Sequence, residues 1–191
     1  MMILAAFLAL AQAASAPCTF DRAALLAMDE QAFDQDLEGG WRPLEQRDCK
    51  AEVADLLRDY RAAHPDGRLN AVIGWHEGQV RAKLGQTERA IALFDAARKP
   101  PEQDSIGWNH YVAGSIAFLR HDRAALQQAR DMLAALPRPN QLPTWTVNGK
   151  KVPMAWPVNL NVLDGFLRCF DKPYEQAYGQ ECSVPFKVKV E

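Results

Sequence analysis

The sequence predicts an all-α protein: a short α-solenoid of antiparallel helix hairpins with a small C-terminal β-hairpin and cap. Three observations lead there. Apolar residues recur at helical spacing through most of residues 21–136, as in Val53, Leu56, Leu57 and Tyr60. Short turn signals, not long loops, separate these stretches. Related patterns also return after 33 to 37 residues: Glu52–Arg58 matches Arg89–Asp95, Ile73-Gly74-Trp75 matches Ile106-Gly107-Trp108, and Leu84 matches Leu119. Periods of that length describe stacked helix pairs, each unable to bury its apolar face alone.

Each element follows from local chemistry. Asp21 to Asp36, with Leu25, Met28, Phe33 and Leu37 near helical spacing, predicts one or two short helices ended by Gly39-Gly40. Trp41-Arg42-Pro43-Leu44 is a connection able to bury Trp41. Lys50 to His64 is a helix with one apolar face, stopped by Pro65-Asp66-Gly67. Asn70 to Leu84 and Thr87 to Arg98 form a hairpin across Gly85-Gln86, with Thr87 as N-cap. Ser105 to Arg120 and Asp122 to Leu136 form a second, with Asp122 as N-cap. Beyond Leu136 proline and turn residues dominate. Trp145-Thr146-Val147, Asn148-Gly149 and Lys150-Lys151-Val152 carry a strong hairpin signal. Asn159 to Phe170 and Pro173 to Tyr178 are the last helices, and Phe186 to Glu191 is an edge strand or a frayed tail.

Gly78, Gly85, Ala90, Phe94 and Ala97 fall in the order and spacing of the small and aromatic packing positions of the tetratricopeptide repeat. The stretch Gly78–Ala97 thus resembles that family. Small residues let the two helices approach closely, and the aromatic fills the gap to the next helix. Trp75 stands one place after the family's leading tryptophan position, and Arg81 takes the place of its mid-helix tyrosine. The copy over Ser105–Leu136 keeps Leu119, Ala125, Ala129 and Met132, with Arg120 aligned to the turn glycine; the copy over Asp21–His64 is fainter. The resemblance implies an α-solenoid and a protein-binding role.

Met1 to Ala11 is a continuous apolar run, followed by the A-x-A choices Ala11-Gln12-Ala13 and Ala14-Ser15-Ala16. This reads as a secretory signal peptide over residues 1–16, too short to span a bilayer. The helical-repeat region then covers 17–136, and the hairpin and helix cap 137–191. A periplasmic or secreted location follows, with no membrane insertion of the mature chain. In that compartment the four cysteines read as disulfides; they fall near the two ends, which predicts Cys18–Cys49 and Cys169–Cys182. No C-x-x-C spacing favours zinc or redox catalysis. The net charge of −2, with both signs interspersed, gives no basic stripe for nucleic acid.

The candidate binding residues are Trp75, Gln79 and Lys83 on one helix and Trp108, His110 and Tyr111 on the next, lining the face formed by the first helices of successive hairpins. Packing between helices is the competing role for these aromatics. Trp145–Gly149 and Trp156 form a second candidate surface, or a cap over the solenoid's end. His76 and Glu77 point about 100° apart on a helix, so with His110 they make a poor metal set, and no metal or cofactor is predicted. Ser105 and Ser115 lack a nucleophile elbow. Asp29, Glu30, Asp34 and Asp36 read as a solvated charged run. The leading function is binding of a protein or peptide partner, without catalysis. The alternatives are an enzyme or enzyme inhibitor with a site between the repeats and the hairpin, and a structural spacer whose groove is filled by its own C-terminal segment.

Overall fold

A computed structural model describes residues 18–147 and 150–183. The expected signal sequence, the Asn148-Gly149 turn and the tail from Phe186 lie outside the described residues. The chain is mostly helical: α1 (Arg22–Leu26), α2 (Arg42–Gln46), α3 (Lys50–Ala63), α4 (Asn70–Lys83), α5 (Thr87–Ala96), α6 (Trp108–Leu119), α7 (Arg123–Ala134), α8 (Leu160–Arg168) and α9 (Tyr174–Tyr178). A π-helical turn covers Gln31–Gln35, and β1 (Thr144–Val147) pairs antiparallel with β2 (Lys150–Pro153), Trp145 opposite Val152. From α3 to α8 each helix packs on the one before it across the connections, and α9 returns to lie against α4 and α8.

The two hairpin turns are built alike. Gly85 has φ +71° and closes α4: its N–H donates to the Ala82 carbonyl, and the Gln86 N–H to that of Arg81. This left-handed closure satisfies carbonyls that a helix end leaves bare. His121 (φ 57°) does the same for α6, with bonds to Phe118 and from Asp122 to Ala117. The residue equivalent to Gly85 is therefore His121 and not Arg120, and the register between the hairpins is 36 positions. Asp122 caps α7, accepting from the Ala125 N–H. Thr87 is no cap: Gln86 holds that position without a side-chain capping bond, its amide oxygen accepting instead from Arg81 at 3.1 Å.

The start of α6 also departs from expectation. Gly107 is left-handed (φ 73°), and the Asp104 carboxylate accepts from the N–H groups of Trp108 (2.6 Å) and Asn109 (2.9 Å). The helix thus opens at Trp108, three residues later than predicted. Ile73-Gly74-Trp75 lies inside α4 while Ile106-Gly107-Trp108 straddles the start of α6, so the two triplets are not equivalent. In the 36-residue register Trp75 matches Tyr111 and Gly78 matches Gly114.

Two apolar clusters share α4 as their wall. Ile73 and Val80 face the first, with Phe33, Trp41, Leu44, Val53, Leu57 and Tyr60. Trp75 and Ala82 face the second, with Phe94, Tyr111, Phe118, Leu126, Leu163, Phe166 and Tyr174. Cys18–Cys49 and Cys169–Cys182 are bonded, with Cα atoms 5.7 and 5.9 Å apart, one disulfide against each cluster. Among the described residues no helix is long and apolar enough to cross a membrane.

Candidate functional site

The predicted binding residues separate into two groups. Trp75 is buried; its ring stacks on Phe94 at 4.2 Å and meets Trp108 edge-on at 4.7 Å and Tyr111 at 5.0 Å. Trp108 donates from Nε1 to the Ala97 carbonyl at 2.7 Å. These three aromatics are brought together, but as packing between α4, α5 and α6. His110 sits half-buried in the first turn of α6. Gln79 and Lys83 lie on a different strip of α4, and Lys83 pairs with Glu45 of α2 at 2.5 Å. Trp156 is half-buried, with Nε1 3.4 Å from the Leu136 carbonyl.

His76, Gln79 and Lys83, at i, i+3 and i+7, form that polar strip. At one end the π-helical turn delivers Asp34, which is completely buried. His76 Nδ1 lies 2.6 Å from Asp34 Oδ1, which also accepts from Trp41 Nε1 at 3.1 Å; Gln35 donates to Oδ2 at 2.6 Å. Arg42 bonds the Asp34 and Asp36 carbonyls and lays its guanidinium 4.4 Å from the centre of the Trp41 ring. Burial alone would raise the Asp34 carboxyl, but His76, Trp41 and Gln35 together hold it below the usual range. An ionised carboxylate only accepts, so Nδ1 of the half-buried His76 is the donor in this contact. Burial also lowers the Arg42 guanidinium, against the pull of Asp34, Glu45 and Asp36.

Sequence reasoning missed this cluster. The acidic run that reads as a solvated face is divided among separate tasks. Asp34 is buried, Asp29 caps the Ala32 N–H, and Glu30 accepts from the N–H groups of Arg68 and Leu69. Glu77, on another side of α4, joins an ion network in which it and Arg81 are buried: Arg61 at 2.7 Å and Arg81 at 3.3 Å, with Arg81 also on the exposed Asp55 (2.9 Å) and on Gln86 (3.1 Å). Arg81, where a repeat of the resembled family has tyrosine, spends its charge there.

Along the face formed by α4, α6 and α8 lies α9. Tyr174 is buried with its ring 5.5 Å from Phe166, 6.2 Å from Phe118 and 6.3 Å from Phe94. Ala177 is buried beside it, Tyr178 is 38% exposed, and Glu175 pairs with Lys50 at 2.7 Å. Burial drives the Tyr174 hydroxyl well above the ordinary tyrosine value; Gln79 faces it and pulls the other way, yet no hydrogen bond of normal length joins them. Burial raises Tyr111 likewise, and the nearby Tyr178 and Tyr174 add to the rise. The face that the sequence offers as a groove is thus occupied by the chain's own C-terminal segment, the arrangement named above for the structural-spacer alternative. One surface hollow of about 490 Å³, between Asp29, Glu30, Tyr60 and His64, and another of about 560 Å³ between Arg138 and Lys151 lie away from it.

No family model, curated protein or solved structure shows significant similarity to the chain.

Proposed function

We propose that the mature protein is an exported helical-repeat module that binds a polypeptide partner across the face of α4, α6 and α8. The observation that carries this reading is α9: a five-residue helix seated by two tyrosines on that face. A surface that accepts one short helix has the shape and the aromatic lining for helix-in-face recognition. The like-built turns at Gly85 and His121 support a short solenoid, with the paired β1 and β2 as its terminal cap. Residues 1–16 act as the export signal and the two disulfides suit an oxidising compartment. The polar strip beside α9 gives the partner its orienting contacts.

In vivo photocrosslinking tests this, with the crosslinker at Gln79 or Tyr178. The expected result is a discrete polypeptide adduct at both positions, lost on Lys83→Ala. An adduct pattern identical to that from a crosslinker on the far side, at Gln127, removes the reading.

A second reading rests on the Asp34–His76 contact at 2.6 Å. A buried carboxylate that fixes a histidine tautomer, with the other ring nitrogen making no hydrogen bond among the described residues, is half of an acid–base site. Under this reading the protein is a small enzyme and His76 moves the proton. Purified protein assayed against ester, amide and phosphoester substrates should then show turnover that His76→Gln abolishes.

A further inference from the structure

We infer that α9 is a tethered, imperfect ligand, and that the partner is a helical segment with aromatic residues at i and i+4, the first of them lacking a hydroxyl. This rests on the polypeptide-binding reading and gives its partner a chemistry. Tyr174 and Tyr178 are four apart and stack on each other at 5.6 Å, so both rings project from one side of α9. Tyr174 enters a slot walled by Phe94, Phe118 and Phe166, where its hydroxyl faces Gln79 but makes no hydrogen bond among the described residues. Gly165 of α8 allows this approach, since a Cβ there would stand 3.0 Å from the Cys182 carbonyl oxygen and 3.5 Å from that of Ala177. Lys50, bonded to both Asp48 and Glu175, receives an acidic residue directly after the first aromatic.

The misfit lies in the hydroxyl. A buried hydroxyl that loses water and gains no partner is costly, while phenylalanine keeps the ring contacts and removes the cost. The tether makes up the difference. Cys182 is joined to Cys169 across 13 residues, so the slot always meets α9 at high effective concentration. A free segment bearing phenylalanine in the first position competes through better fit, and an acidic neighbour adds the Lys50 contact. The slot thus selects against partners whose first aromatic carries a polar tip.

The test uses the full mature chain and synthetic peptides spanning 170–183, with both cysteines replaced by serine and either Tyr or Phe at position 174. Hydrogen exchange of the 174–178 amides is read with excess peptide. The expected result is faster exchange of those amides with the Phe peptide, at a concentration about tenfold lower than the Tyr peptide requires. A peptide with alanine at 174 and 178 should have no effect. The Cys169→Ser/Cys182→Ser chain, in which α9 stays joined to α8 by the backbone but its far end is no longer pinned, should bind both peptides more tightly and keep their order. Equal potency of all three peptides, or no effect of any on either chain, overturns the inference. Partner crosslinking at Gln79 that persists under that outcome would leave the binding reading standing and sink only this assignment of chemistry.

Discussion

At the scale of single residues, Asp34 decides how the N-terminal segment is held to α4. Its carboxylate is completely buried and takes bonds from His76, Trp41 and Gln35, so removing it strands several donors together. Asp34→Ala should cost about 3 kcal/mol, in line with breaking a buried charged pair from one side. The pH dependence has a definite sign. Folding lowers the carboxyl from its usual 3.8, so the ionised form stabilises the fold. That contribution is full above the unfolded value and is lost as pH falls through the lower folded value. Thermal melts of the wild type should therefore fall below pH 4, and Asp34→Asn should flatten that fall while lowering stability at pH 7. A wild-type melt that does not change between pH 5 and pH 3 would contradict the assignment. None of this was readable in the sequence. Asp34 stands among Asp29, Glu30 and Asp36, and only the π-helical turn rotates it inward toward a histidine 42 positions away.

At the scale of elements, helices whose apolar faces repeat every three or four residues were legible, and so were the starts of α3, α4 and α5 at Lys50, Asn70 and Thr87; the start of α6 was not. α3 and α5 were evident from Val53, Leu56, Leu57 and Tyr60 and from Ala90, Ile91 and Phe94, all of which are buried. The start of α6 was hidden because Asp104 caps it from four residues upstream while Gly107 turns left-handed, a backbone choice that side-chain periodicity does not record. That offset concealed the pairing of Trp75 with Tyr111 and made two tryptophans look equivalent. The helix-interior glycines sharpen the point. A Cβ on Gly78 would stand 2.7 and 2.8 Å from ring atoms of Phe94, which Trp75 pins by stacking. A Cβ on Gly114 would stand 2.6 and 2.9 Å from the methyl groups of Leu163 and 3.3 Å from its Cγ, an unstacked side chain with other staggered rotamers to adopt. Alanine gains about 1 kcal/mol of helix propensity at either site, whereas overpacking a rigid contact costs about 1–3 kcal/mol. Gly78→Ala should thus destabilise by up to about 2 kcal/mol in urea titration, and Gly114→Ala should be close to neutral. Equal effects at the two sites would mean that Phe94 is as free to move as Leu163.

For the whole molecule, the decisive feature is that one helix belongs to both apolar clusters. α4 turns Ile73 and Val80 to one side and Trp75 and Ala82 to the other, and its Glu77 and Arg81 sit buried in an ion network with α3. Neither cluster loses its wall without the other doing so, which predicts one cooperative transition despite two cores and two covalent staples. The staples act on opposite ends of that unit. On the chain-entropy model Cys18–Cys49, closing 31 residues, constrains the unfolded chain by about 3.5 kcal/mol, and Cys169–Cys182, closing 13, by about 3 kcal/mol. Similar energies should have different local consequences. Native-state hydrogen exchange should find the α4 amides opening only with global unfolding in the wild type and in both serine variants. Cys18→Ser/Cys49→Ser should speed exchange in α1 and α2, whose packing on the first cluster the bond anchors. Cys169→Ser/Cys182→Ser should speed α9 and leave α1 unchanged. If instead α4 opens early when only the C-terminal bond is removed, the second cluster separates from the first, and α9 holds the molecule together rather than merely occupying its face.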